Sequence, residues 1–438
     1  MSRYQEQFEQ KTISIESAVD LIQSDMDLVV AQCASEPQGV MAQFHLASHR
    51  VKNVNVFSVL TLGAYQFYTD PKMKGHFKLC SWFHSTHSRR AIKERTGTVT
   101  FVPNMLHRAA TDRLSVRDPN IFFGTCTPPD DKGFVSLSLG ITYEKEILER
   151  AGLVILEVNK KLPRTFGDTH LRVDQVDHFV IHNQEVPALP EVAPNEVERT
   201  IGEHIASLVE DGSTIQLGIG GIPNAAAMAL KGKKDLGVHT EMMVDSMMEL
   251  YELGVVTNKR KTLYKDKFLC TFAMGSRKLY DWLDNNMAVE FRRGSWVNDP
   301  AVIRQNAKMT SINTCLAIDF TGQVSSESVG IHQYSGTGGQ TDTAVGAKEC
   351  YDGKGKSIIA CRSTAKGGTL STIVPTLQNG SAVTLHRSNS DYIVTEWGVA
   401  ALRGRTIEER TRALIKIAHP DFRDDLTKQA LDMGFILD

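Results

Sequence analysis

Short apolar runs alternate along this chain with stretches whose apolar side chains recur at helical spacing. Residues 13–22 read as an amphipathic helix, and 28–33 as a short apolar strand ending in Ala34-Ser35-Glu36-Pro37. Residues 54–60 form a second strand, closed by Gly63, and further apolar strands follow near Phe101, at 121–123 and at 153–158. This alternation predicts an α/β fold with parallel sheets covered by helices. Thr127-Pro128-Pro129-Asp130-Asp131-Lys132-Gly133 is a strong turn signal. In the second half a helix is predicted over 242–253 with Glu241 at its opening and Gly254 as its C-cap. Strands are predicted at 268–273, 316–320 and 357–361, and a loop flanked by a short strand at 289–300. A helix of mixed charge opens at 405–410 and runs to about 417, followed by His419-Pro420.

The pattern restarts midway. Residues 18–31 resemble 205–218: a helix leads through a polar turn into a strand, then a loop holding Pro37 or Pro223. One fold used twice is therefore expected, as two similar open-sheet domains. The segment 185–195, with three prolines in eleven residues, is the best linker. The expected division is 1–184, a linker at 185–196, and 197–438. Parallel α/β sheets bind ligands beyond the carboxyl ends of their strands. Both proline loops sit at such ends, so the site is expected between the halves.

At 438 residues two domains are expected. A net charge of −2 gives no general attraction to nucleic acid or anionic membrane. The polar N-terminus has no apolar signal core, and no run approaches the roughly 18 apolar residues of a membrane span. The seven cysteines are scattered, form no Cys-x-x-Cys and suggest buried thiols in a reducing cytoplasm.

Candidate chemistry concentrates in three places. Gly336-Thr337-Gly338-Gly339-Gln340-Thr341-Asp342 holds three glycines in four residues, which lets backbone N–H groups converge on one negative oxygen. Gln216-Leu217-Gly218-Ile219-Gly220-Gly221-Ile222-Pro223 is a second such loop. Either could instead be only a tight turn. Between them stands Glu241. A carboxylate can attack a thioester to give an acyl anhydride of similar energy, which keeps the bond's free energy for a second transfer; the oxyanions formed on the way need preorganised donors. The alternative is a glutamate that complements a helix dipole. Gly353-Lys354-Gly355-Lys356-Ser357 imitates the end of a phosphate loop, but a hairpin turn is the better reading. No Gly-x-Ser-x-Gly elbow or His-Glu-x-x-His motif is present. His84 and His87 have metal-ligand spacing but no visible third ligand, so no metal is expected. Arg292-Arg293 reads either as a solvated turn or as a clamp for a substrate carboxylate. The stretch from His84 to Arg90, with Arg89, carries the same ambiguity.

An ordered set of motifs then points to a family. It comprises Gln216-x-Gly218-Ile219-Gly220-x-Ile222-Pro223, His239-Thr240-Glu241-Met242, Val297-Asn298-Asp299-Pro300 and Tyr334-Ser335-Gly336-x-Gly338-Gly339-Gln340. Ser363-Thr364-Ala365-Lys366-Gly367-Gly368-Thr369, the run Tyr392 to Ala400, and Ile417-Ala418-His419-Pro420-Asp421-Phe422 follow. The first half adds Glu36-Pro37, Pro128-Pro129-Asp130 and Pro163-Arg164-Thr165-x-Gly167-Asp168. Together they resemble the acetyl-CoA hydrolase/transferase family near its 4-hydroxybutyrate CoA-transferase branch.

The resemblance implies two CoA-transferase-type domains and a ping-pong transfer of CoA from an acyl-CoA to a short-chain carboxylic acid. It puts the nucleophile on Glu241, an assisting asparagine on Asn298 and oxyanion-hole amides on Gly339 and Ile219. CoA contacts fall on Gly218, Gly220, Gly336, Gly338 and Lys366. It implies no resident cofactor, with coenzyme A entering as part of the substrate, and a cytoplasmic homo-oligomer with no nucleic-acid or membrane partner. The segment Phe291 to Trp296 departs from the branch by its added positive charge. Arg292 and Arg293 thus lean the acceptor toward a dicarboxylate such as itaconate or succinate, with butyrate, 4-hydroxybutyrate or acetate, or hydrolysis by water, as alternatives.

Overall fold

The computed structural model describes residues 3–190 and 193–437, so residues 191 and 192 of the expected linker lie outside the described residues. The chain forms two compact units. One comprises Met1–Pro190 and Leu269–Val297, the other Glu191–Phe268 and Asn298–Asp438. Leu269–Val297, which follows the linker in sequence, thus packs with the N-terminal part. Its strand Val289–Phe291 pairs in parallel with Phe166–Gly167, a partner too remote in sequence to be read locally.

The first unit is built on an eight-stranded parallel sheet. Asp27–Val30 lies at its centre; Val54–Val59, Phe77–Phe83 and Val99–Phe101 extend one way, and Ile121–Cys126, Leu153–Val158, His178–Ile181 and Thr12–Ile13 the other. These strands read as unbroken apolar runs because both faces are covered. Leu28, Val30, Val56, Leu79, Ile121 and Phe123 are fully buried in one core with Phe44, Phe67 and Tyr68. The helix expected over 13–22 is Ile15–Asp20, started by Ser14, whose side chain accepts the Ser17 N–H.

Asp27 begins the central strand and is buried against Arg113 and Arg117. Arg113 is itself buried, so removing the carboxylate leaves a buried guanidinium without its paired carboxylate at the amino end of the central strand. Asp27→Ala is expected to destabilise this unit by about 3–5 kcal/mol, measured as a lowered urea midpoint at unchanged m-value.

The second unit has its own six-stranded sheet in the order Gly237–Val238, Thr214–Leu217, Thr310–Thr314, Lys356–Ala360, Tyr392–Thr395, Gly398–Ala401. All neighbours are parallel except the last pair. The strand order reverses between Thr214–Leu217 and Thr310–Thr314, and such a switch point opens a crevice at the strands' carboxyl ends. Ile318, Phe320, Ile359, Ile393, Leu402 and Leu414 form the core on one side. Two C-terminal helices complete it: Ile407–Lys416, with a Thr406–Glu409 capping box, and Pro420–Asp432, with His419 at the cap.

Candidate functional site

The expected site residues of the second unit sit on connections between its strands and helices. Thr214–Leu217 runs into Gly218, whose N–H donates to the Ile312 carbonyl at 3.0 Å. Ile219 and Gly220 make the turn, and the helix Gly221–Ala229 starts at once. Gly220 has φ +112, a backbone position that excludes a side chain without strain. Ile219 lies at the surface of this turn, 43% exposed. Gly336 and Gly338 precede a second helix start: Gly339 is the N-cap of Gln340–Lys348, a helix the sequence reading missed. Gly338 has φ +56.

Glu241 does not open a helix. Met242–Met243 is extended, and the helix begins only at Asp245, after Val244 in β conformation. Glu241 stands four residues before the first turn of the helix that follows it, so it does not complement that helix's dipole; the helix start its carboxylate meets is that of Gln340–Lys348. Glu241 Oε2 accepts a hydrogen bond from Asn298 Nδ2 at 2.8 Å. A Cβ on Gly339 would lie 1.7 Å from that Oε2 and 2.3 Å from Asn298 Nδ2. Glu241, Asn298 and the Gly339 backbone are thus brought into direct contact, and only glycine leaves the carboxylate room. Burial pushes the Glu241 carboxyl up to about 7; the Asn298 hydrogen bond opposes this and the buried Asp342 carboxylate adds to it.

A polar chain behind these groups fixes the two loops, and the sequence reading did not find it. Gln216 Oε1 accepts from Asn313 Nδ2 at 3.2 Å, and Asn313 Nδ2 also donates to Thr343 Oγ1 at 3.1 Å. Thr343 Oγ1 donates to the Gly339 carbonyl at 3.0 Å. His239 Nδ1 lies 2.9 Å from Asn306 Nδ2, which ties the segment entering Glu241 to the one leaving Asn298. Buried Gln, Asn and His beside a glycine loop are the only sequence signal, and it is weak without the pairing.

Lys366 sits apart from this cluster, in the turn of the hairpin Thr364–Ala365/Leu370–Ser371, with φ +48. It borders a cleft of about 360 Å³ that Arg362, Gly367, Gly368, Asn195 and Glu396 also line. Gly353–Gly355 lies in the connection between the helix Gln340–Lys348 and the strand Lys356–Ala360, so the segment is neither a phosphate loop nor the expected hairpin turn.

Arg292 and Arg293 belong to the first unit and are already paired. Arg292 donates to Asp168 at 2.7 Å and to Glu290 at 2.8 Å, and Arg293 forks the Glu149 carboxylate at 2.7 and 2.9 Å. The expected loop at 289–300 contains the strand Val289–Phe291 and the short helix Gly294–Val297. His84 is fully buried, both ring nitrogens lack hydrogen-bond partners, and burial with the nearby Arg89 pushes it down to about 4. No group of three or more His, Cys, Asp and Glu that could hold a metal ion occurs among the described residues. Nor is any helix among them long and apolar enough to cross a membrane. In the first unit, Glu36 anchors the loop after Val54–Val59, accepting the Leu62 and Gly63 N–H groups at 3.0 and 2.9 Å and the Tyr65 hydroxyl at 2.8 Å.

Models of the N-terminal and C-terminal domains of the acetyl-CoA hydrolase/transferase family match residues 1–191 and 275–430. The chain belongs to the acetyl-CoA hydrolase/transferase family. It is an enzyme that transfers CoA. It is 40% identical to the 4-hydroxybutyrate coenzyme A transferase of Clostridium kluyveri, over 97% of this chain and 98% of that one. It is 39% identical to the succinyl-CoA:cyclohexane-1-carboxylate CoA transferase of Geobacter metallireducens, over 99% and 98%. The crystal structure of a 4-hydroxybutyrate CoA-transferase from Porphyromonas gingivalis superposes with a TM-score of 0.81 at 32% identity, covering 98% of this chain and all of that one. The α/β fold with parallel-rich open sheets agrees with these relatives.

Proposed function

We propose that the enzyme moves CoA from an acyl-CoA to a short-chain carboxylic acid through covalent intermediates on Glu241. The contact of its carboxylate with Asn298 and the side-chain-free Gly339 carries this reading. Glu241 attacks the thioester carbonyl, and CoA thiolate leaves an acyl-glutamyl anhydride. The thiolate then attacks the glutamyl carbonyl, releasing the first acid and forming glutamyl-CoA. The second acid's carboxylate attacks glutamyl-CoA and expels the thiolate, which takes the acyl group from the new anhydride and frees Glu241. N–H groups at Gly339 and Ile219 stabilise the oxyanions. Gly218, Gly220, Gly336, Gly338 and Lys366 receive the CoA portion, whose binding energy lowers the barrier at the distant thioester. Exclusion of water favours transfer over hydrolysis.

A nucleophile must be ionised, so its raised pKa sets the acid limb of the rate. With the carboxyl at about 7, kcat/KM for the acyl-CoA is expected to fall as pH drops through 7. Asn298→Ala removes a bond to the ionised form and should move that limb to higher pH. Asp342→Asn removes a like charge and should move it lower. Limbs that stay fixed in both variants contradict the assignment.

The acceptor is read as a dicarboxylate such as itaconate or succinate on the positive charge of Arg292 and Arg293. Each guanidinium holds a protein carboxylate here, so this reading requires the substrate's second carboxylate to replace Asp168 or Glu149. The monocarboxylate alternative, butyrate, 4-hydroxybutyrate or acetate, needs no such exchange; the relatives' names include a monocarboxylate, 4-hydroxybutyrate, and a dicarboxylate, as succinyl-CoA. Replacing both arginines by alanine should raise KM about tenfold or more for dicarboxylates alone if the clamp exists. An equal change for monocarboxylates removes it. The same reading carries a cytoplasmic homo-oligomer with coenzyme A as substrate and no resident cofactor.

A further inference from the structure

We propose that Cys315 and Cys361 form a reversible dithiol–disulfide site at the carboxyl edge of the second unit's sheet, through which a peroxide slows the enzyme. Thr310–Thr314 and Lys356–Ala360 pair in parallel with Thr314 opposite Ala360. The ladder continues one residue, since the Cys315 N–H donates to the Ala360 carbonyl at 3.2 Å. Cys315 and Cys361 are therefore cross-strand neighbours on the same face of the sheet. Adjacent strands lie about 4.8 Å apart, inside the Cα separation of about 4.4–6.8 Å that a disulfide spans. The neighbouring thiol and burial raise the Cys315 thiol well above its ordinary range, while Cys315 lowers the Cys361 thiol against the effect of its burial. Cys33, Cys80, Cys126, Cys270, Cys350 and Cys361 are buried, whereas Cys315 is partly accessible and gives an oxidant a way in.

The chemistry balances with hydrogen peroxide as oxidant. Loss of one proton leaves the other shared by the two sulfurs. Cys361, the thiol lowered by its neighbour, loses that first proton; transfer of the remaining proton from Cys315 to Cys361 exposes the Cys315 thiolate, which attacks a peroxide oxygen, breaks the O–O bond and expels hydroxide, which takes up a proton as water. Cys361 then gives up its proton and displaces hydroxide from the Cys315 sulfenic acid. The net change is two thiols and one peroxide to one disulfide and two waters.

Both strand ends lead into supports of the Lys366 cleft and the Gly339 loop, so the effect on turnover rests on the function proposed above. Cys361 precedes Arg362, which holds Glu198 at 2.6 Å, and Ser363, whose hydroxyl donates to Glu396 at 2.6 Å. Arg362 and Glu396 line the Lys366 cleft. Two residues before Cys315, Asn313 bridges Gln216 to Thr343 beneath the Gly339 loop. Drawing the sulfurs together to a bond of about 2.05 Å pulls on both supports.

The test titrates the full-length enzyme with hydrogen peroxide, blocks remaining thiols by alkylation, and maps cross-linked peptides by mass spectrometry beside an acyl-CoA transfer assay. A Cys315–Cys361 cross-link should accumulate in step with a loss of activity of about tenfold or more, and dithiothreitol should reverse both. Cys315→Ala and, independently, Cys361→Ala should keep their activity at the same peroxide dose. Absence of the cross-link, a cross-linked enzyme as active as the reduced one, or equal peroxide sensitivity in both variants would overturn the proposal. The peptide map reads the disulfide whatever acid the enzyme uses.

Discussion

Glu241→Gln is expected to lower CoA transfer by about ten-thousandfold or more while leaving the fold intact, a loss of roughly 5.5 kcal/mol in transition-state stabilisation. The amide keeps the shape of the carboxyl, and its oxygen can still accept the Asn298 hydrogen bond now made at 2.8 Å. What it loses is the negative oxygen that attacks the thioester. Stability provides a control with a worked sign. The carboxyl titrates near 7 in the folded chain against about 4.5 ordinarily, so between those values the folded state binds more protons than the unfolded one. Stability attributable to this group therefore falls as pH rises across that window and stays low above it. A neutral glutamine escapes this loss, so at pH 8 the variant should melt no lower than the parent. An inactive variant that also melts several degrees lower would mean that activity was lost through the fold.

Gly339→Ala is the second large effect. The backbone at Gly339 has φ −98, which alanine adopts without strain, so the substitution carries no conformational penalty of its own. Its Cβ would nevertheless fall 1.7 Å from Glu241 Oε2 and 2.3 Å from Asn298 Nδ2. Both groups must move, and the carboxylate leaves the position it shares with the helix N-terminus. We expect kcat to fall by about a hundredfold to a thousandfold, with KM for the acyl-CoA within a few-fold of the parent and little change in melting temperature. A variant that instead loses only acyl-CoA affinity would assign Gly339 to binding the CoA portion.

The architecture was legible in the sequence where burial is symmetric. The apolar runs at 54–60 and 153–158 became strands almost residue for residue because each is covered on both faces. Local pattern misled after Glu241. Met242, Met243 and Val244 suit either a helix or an extended segment, and the chain takes the extended one until Asp245. Long-range pairing was invisible. Arg292 and Arg293 look like free charge in the sequence, yet their partners Asp168 and Glu149 lie 124 and 144 residues away. The Gln216–Asn313–Thr343 chain likewise spans 97 and 30 residues. The glycine loop was conspicuous from its composition, but the need for glycine at 339 emerges only from its contact with Glu241.

The most direct measurement is to mix the purified enzyme with an acyl-CoA and no acceptor acid, quench with borohydride, and identify the modified peptide by mass spectrometry. Hydride reduces a glutamyl thioester to an alcohol and leaves free carboxylates untouched. Conversion of Glu241 to the reduced residue, absent in Glu241→Gln and suppressed when excess acceptor is present, is the outcome expected from covalent transfer. Full turnover with Glu241 unmodified, or reduction at another carboxylate, would contradict it.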